Sequence, residues 1–134
     1  ACMNFIRRPE SFDVVVASNL FGDILTDIGA QITGSMGLAA SANINPERTY
    51  PSVFEPVHGS APDITGKGIA NPLATILSAG MMLEHLGEPE AATAIHDACM
   101  TVLRDGEVVP ADLGGSATTV QLGAAVVAAL EAAP

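Results

Sequence analysis

Residues Phe12 to Thr33, FDVVVASNLFGDILTDIGAQIT, change their period once, and that change decides the fold class. The run Phe12 to Ser18 is rich in β-branched residues and bounded by polar ones, the pattern of a buried parallel strand. From Leu20 to about Thr33 the apolar residues Phe21, Leu25, Ile28 and Ile32 follow helical spacing, with Ile24 beside them. Asn19 stands where a cap belongs. A strand feeding directly into an amphipathic helix is the unit of an α/β protein.

The rest of the chain is mainly helical in pattern. ACMNFIRRPESF reads as a helix already under way that ends near Pro9, because Pro disfavours helical geometry in the residue before it. Ser41 to Pro51 is turn-rich and expected to be exposed, and Ser52 to Pro72 is a Pro- and Gly-rich segment expected to be mainly ordered loop. A helix restarts from Asn71 with Pro72 at its first position, runs to about Leu86 and stops at Gly87. Another spans Glu90 to Leu103. After the linker VVPADLGGSATTV, Ser116 or Thr118 can cap a last helix reaching about Ala132. The order implies an α/β fold whose remaining strands come from another segment. A start in mid-helix without Met reads as the C-terminal part of something longer.

Composition narrows the classes of function. The chain has 134 residues, of which 49% are hydrophobic, enough for one domain with a real core. Its net charge is −10, from 15 acidic and 5 basic residues, and beyond Lys67 the only basic side chain is Arg104. Nucleic acid binding, which needs a basic face, is disfavoured. No apolar stretch reaches the roughly 18 residues that a membrane span needs, and no secretory signal opens the sequence. Cys2 and Cys99 have neither zinc-site nor disulfide-framework spacing and read as two buried thiols in a reducing cytoplasm. His85 and His96 read as surface or helix-packing residues, Met81 and Met82 as core filling, and Arg7 and Arg8 as a solvated helix end.

Two constellations carry chemistry. Asp23 and Asp27 lie four apart on one helical face, where like charges repel. Spacing alone leaves two readings: half of a site for a hard cation such as Mg²⁺ or Mn²⁺, or Asp23 favouring the helix N-terminal dipole while Asp27 is solvated. The second constellation is HGSAPDITGKGIANP, His58 to Pro72. Glycines let a backbone approach phosphate closely, and an aspartate such as Asp63 can accept hydrogen bonds from ribose hydroxyls. It is neither G-x-G-x-x-G nor a P-loop, so composition leaves a purely structural loop open.

Together, NLFGDILTD…GSMGL and FEPVHGSAPDITGKGIANP resemble the β-decarboxylating dehydrogenases, the family of isopropylmalate, isocitrate, tartrate and D-malate dehydrogenases. DLGGSATT (Asp112 to Thr119) is a further echo. The resemblance implies an isopropylmalate dehydrogenase-like two-domain α/β fold, of which this chain is the C-terminal part. Residues 1–33 would end the smaller, dimer-forming domain and residues 34–134 would complete the larger NAD-binding domain. It implies Mg²⁺ or Mn²⁺ at Asp23 and Asp27, with a third aspartate that would fall before Ala1 and reach across a homodimer. It implies NAD at His58, Gly59, Ser60, Ala61 and Asp63, with Asn71 near the adenine and Glu55 near the nicotinamide. An acidic Asp63 favours NAD over NADP, because it would repel a 2′-phosphate.

The activity so implied is metal-dependent oxidation, with β-decarboxylation, of a small 2-hydroxy dicarboxylate. The family's lysine base, tyrosine acid and substrate arginines lie upstream, so neither Lys67 nor Tyr50 takes those roles. SANINPERTYPSVFEP is similar to the tartrate and D-malate branch, with isopropylmalate dehydrogenase as the alternative. A truncated, non-catalytic nucleotide-binding fragment is the reading from another class.

Overall fold

The computed structural model describes residues 1–133; Pro134 lies outside the described part. Helix α1 (Cys2–Arg7) gives way to a 3-10 turn at Pro9–Ser11. Phe5 and Phe12 close this corner edge to face, with ring centroids 5.3 Å apart.

The expected strand at Phe12 to Ser18 does not form. These residues run between the 3-10 turn and the next helix without entering a ladder. A strand exists only by hydrogen bonding to a neighbour, and no neighbour reaches it among the described residues. Val14 and Val16 are accordingly 84% and 95% exposed, the reverse of what their side chains favour.

Helix α2 (Asn19–Ile32) follows the predicted span, but its cap position is Ser18 and not Asn19, with no side-chain hydrogen bond there. Its buried residues are Leu25 and Ala30. The face carrying Leu20, Phe21 and Ile24 is exposed, continuing the apolar strip of Val14 to Val16.

A second departure lies in the middle of the chain. Strands β1 (Ala40–Asn43) and β2 (Val53–Pro56) pair antiparallel, with Ala40 opposite Pro56 and Asn43 opposite Val53. The segments had been expected to be turn and loop. The pair lies against helix α3 (Leu73–Leu86). Pro72 is the cap residue of α3 and not its first helical residue, and Gly87 ends the helix at φ +93°, a conformation that favours Gly.

Helix α4 (Pro89–Asp105) begins with Pro at its first position and ends at Gly106. Helix α5 (Thr119–Glu131) opens with a capping box, Thr118 accepting from the Gln121 amide while the Gln121 side chain accepts from the Thr118 amide. The core is the meeting of these three helices. Leu73 of α3, Ala98, Cys99 and Val102 of α4, and Leu122 and Val126 of α5 are all buried. Gly80 brings α3 close to α4: a Cβ there would sit 3.5 Å from Ile95 Cγ2. Met81 and Met82, expected inside, are exposed.

The two thiols differ. Cys2 is exposed, against expectation, whereas Cys99 is fully buried. Burial pushes the Cys99 thiol from 9.0 up to about 11, opposed by a backbone hydrogen bond. The folded state keeps a proton that the unfolded chain surrenders. Its contribution to stability is therefore full below pH 9.0 and fades as pH rises through about 11. A maleimide reagent at neutral pH should label Cys2 immediately and Cys99 only after denaturation, as read by mass spectrometry. The exposed strip predicts a second result. The isolated 134-residue chain should self-associate in light scattering, and the V14K/V16K variant should suppress this without changing its circular dichroism.

Candidate functional site

Asp23 and Asp27 project from α2, and both are exposed. Thr26 hydrogen-bonds locally to the Asp23 carbonyl at 3.0 Å. Neither aspartate falls in the first helical turn. The macrodipole acts mainly within that turn, so it does not account for Asp23. The pair offers hard oxygen donors to a cation, but no group of three His, Cys, Asp or Glu side chains able to hold a metal exists among the described residues. Two carboxylates are donors of the kind that suits a hard cation such as Mg²⁺ or Mn²⁺.

The second constellation starts on β2. Glu55 sits opposite Ser41 in the hairpin and is exposed. Val57 extends the pairing by donating to the Ala39 carbonyl at 2.9 Å. His58 Nδ1 lies 3.1 Å from the Gly59 carbonyl oxygen, while its Nε2 is buried without a partner. An orphaned ring nitrogen is costly.

Ala61 then adopts φ +42° and ψ +67°, left-handed geometry in a residue with a Cβ. That conformation costs about 1–2 kcal/mol relative to ordinary backbone. It turns the chain into a short 3-10 turn, Pro62–Ile64, which presents Asp63 exposed. Among the described residues the amides of Gly59, Ser60 and Ala61 find no acceptor. Strain beside free amides is the profile of an anion-binding loop, and it fits a cofactor phosphate.

Asn71, at the far end of the loop, is placed differently from the other residues. It is buried, its Oδ1 accepts from the Leu73 amide at 2.9 Å, and its Nδ2 donates to Asp112 Oδ2 at 3.0 Å. Its side chain is thus committed within the protein. Asp112 Oδ2 also accepts from the Ser35 hydroxyl, and Ser35 Oγ accepts from the Gly37 amide at 2.9 Å. Thr119 holds the same end of the loop, donating through Oγ1 to the Ala70 carbonyl at 2.5 Å and through its amide to the Gly68 carbonyl at 2.8 Å.

Sequence reasoning missed Ser35 and the roles of Asp112 and Thr119. The only available signal was the DLGGSATT stretch. His96 pairs on the surface with Asp97 at 3.2 Å. His85 packs against Phe54 with centroids 5.4 Å apart and lies 3.3 Å from Ser52 Oγ. Both histidines thus have the surface and packing roles expected of them.

Comparison with known proteins agrees with this arrangement. The family model described as isocitrate/isopropylmalate dehydrogenase matches residues 1–126. D-malate dehydrogenase [decarboxylating] of Escherichia coli (strain K12) is 55% identical over 130 residues, covering 93% of this chain and 36% of that protein. 3-Isopropylmalate dehydrogenase of Thermobifida fusca (strain YX) is 56% identical over 123 residues, covering 92% and 34% respectively. The crystal structure of isocitrate dehydrogenase from Methylococcus capsulatus superposes with a TM-score of 0.90 at 48% identity, over 96% of this chain and 38% of that one. The chain thus spans about a third of the length of the curated relatives it matches. In fold, in motif and over nearly all of its residues, it belongs to the isocitrate/isopropylmalate dehydrogenase family.

Proposed function

We propose that these residues are the C-terminal, cofactor-binding part of an NAD-dependent dehydrogenase that oxidises and β-decarboxylates a small 2-hydroxy dicarboxylate of the D-malate/tartrate type. The observation that carries the reading is the strained loop at Ala61, with free amides from Gly59 to Ala61 and the exposed Asp63 just beyond. Residues 1–33 would belong to a smaller, dimer-forming domain and residues 34–134 to the NAD domain of a cytoplasmic homodimer. No described helix is long and apolar enough to cross a membrane.

The roles follow from the chemistry of each group. The amides of Gly59, Ser60 and Ala61 donate to cofactor phosphate. Asp63 accepts from the ribose hydroxyls, and its charge excludes a 2′-phosphate. Glu55, exposed at the hairpin edge, faces the nicotinamide end. With its side chain spent on Leu73 and Asp112, Asn71 meets the adenine through its backbone. His58 Nε2 gains a partner when the cofactor fills the loop.

Asp23 and Asp27 hold one side of a divalent cation, with further ligands from elsewhere in the protein. When bound, that cation supplies Lewis-acid chemistry, lowering the pKa of the substrate hydroxyl. NAD⁺ held by the loop would supply the hydride acceptor. The stretch SANINPERTYPSVFEP, residues 41–56, favours D-malate or tartrate. The isopropylmalate relative is as similar overall, so the substrate side chain is decided by assay.

In the complete polypeptide carrying these residues, NADH should form with D-malate or tartrate in the presence of Mn²⁺, and EDTA should abolish it. Preference for isopropylmalate would replace the substrate assignment. NAD binding without turnover of any of the three would make this a non-catalytic binding protein. Asp27→Asn should lower kcat/KM about 100-fold or more, with a raised Mn²⁺ requirement. Ala61→Gly should leave stability within about 1 kcal/mol of wild type, because the lost left-handed strain offsets the added chain entropy. Ala61→Val should cost about 2 kcal/mol in denaturant unfolding, because branching at Cβ aggravates the left-handed clash.

A further inference from the structure

The two half-sites lie on different elements, and one carboxylate connects the segments that carry them. Helix α2, with Asp23 and Asp27, ends at Ile32; three residues later Ser35 donates its hydroxyl to Asp112 Oδ2. The cofactor loop ends at Asn71, whose Nδ2 donates to the same oxygen at 3.0 Å. Asp112 itself belongs to neither segment. It sits in the 3-10 turn Ala111–Leu113 that leads to α5.

The surroundings leave this junction little freedom. A Cβ on Gly37 would lie 2.6 Å from Asp112 Oδ2 and 2.7 Å from Asn71 Cβ, closer than real Cβ contacts allow. Ser35 and Asn71 are both buried. The Asp112 turn is held in its own right, since Gly115 donates to the Pro110 carbonyl at 2.9 Å and Ala117 to the Val109 carbonyl at 2.9 Å. A Cβ on Gly115 would run into the Val109 carbonyl, so the backbone there closes on itself. Thr119, at the start of α5, then grips Ala70 and Gly68 directly. The loop from Gly59 to Ala70 has no buried side chain of its own. Its position is therefore set at its two ends, by the β1–β2 pairing at one and by Asp112 and Thr119 at the other.

We infer that Asp112 is a positioning residue. Through Ser35 and Asn71 it fixes the cofactor loop relative to the helix carrying the aspartate pair, so that the reacting ends of cofactor and substrate meet in register. This inference rests on the NAD-dehydrogenase reading for its kinetic consequence but not for its structural one. Hydrogen bonds to a charged acceptor are the stronger kind, and a carboxylate oxygen shared by two donors holds both in fixed relation. Misplacing a cofactor by a fraction of an ångström lowers the population of reactive geometry without touching the reacting groups.

The test uses the complete polypeptide in two measurements. In amide exchange without cofactor, Asp112→Ala should speed exchange at Lys67 and Thr119 about tenfold while the α4 amides around Cys99 and Val102 keep their protection. In steady-state assays the same variant should lower kcat with NAD⁺ about tenfold with a much smaller change in KM for NAD⁺. Asp112→Asn, which keeps one acceptor oxygen, should restore most of both. Ser35→Ala should produce a weaker effect of the same kind. Acceleration spread evenly over α3, α4 and α5, or a loop whose exchange is unchanged, would overturn the inference. If the wild-type protein oxidises no substrate with NAD⁺, the functional reading fails, and selective loop exchange still decides whether Asp112 positions the loop.

Discussion

The structure depends on closing three helices around Leu73 and Leu122, both fully buried. Leu73 opens α3 and Leu122 lies in the first turn of α5, so the core grips both helices at their N-terminal ends. Cys99 and Val102 fill the space between them from α4. Packing at helix starts has a consequence for the loops that precede them. Asn71 and Thr119 are each within two to three residues of a core leucine, so the hydrogen bonds they make are referenced to the most rigid part of the molecule. Apolar burial supplies the stability, and the polar contacts only have to transmit position.

That arrangement explains how an exposed loop can hold strain. The left-handed Ala61 has no neighbour to enforce it locally, since the residues around it are exposed. Its conformation persists because the ends of the loop are fixed elsewhere: Val57 on Ala39, and Gly68 and Ala70 on Thr119. A segment so constrained at both ends samples fewer conformations, and a ligand that needs one of them binds at a lower entropic cost.

Much of this organisation was legible in the sequence where the signal is local. Helical periodicity located α2, and Gly87 located the end of α3, because a left-handed cap is a property of a few adjacent residues; α4 runs two residues past the expected end at Leu103, to its cap at Gly106. The hairpin was not legible. Ala40–Asn43 contains no β-branched residue, and its strand character comes from pairing with Val53–Pro56, a contact that propensity cannot see. Phe12 to Ser18 failed in the opposite direction: its composition favours a strand, and no partner is present among the described residues to make one. The same distinction holds at the site. Asp23, Asp27 and the His58–Asp63 loop stood out by local spacing and composition, and the family resemblance of short motifs gave them their expected roles. Asp112 escaped because its partners, Asn71 and Ser35, lie 41 and 77 residues away.

The exposed apolar strip and the aspartate pair of α2 point the same way. Asp23 and Asp27 repel each other on one face of α2, and nothing among the described residues neutralises them. On the same helix Leu20, Phe21 and Ile24 lie open to solvent, beside Val14 and Val16. One helix thus carries two unsatisfied features, one electrostatic and one hydrophobic, and neither is relieved by the core of α3, α4 and α5. Apolar cover together with a positive charge beside the aspartates would satisfy both. On that reasoning α2 is the element whose environment would change most when a further surface covers it. The loop from Gly59 to Ala70, tied through Thr119 and Asn71 to the leucine core, is the element that would change least.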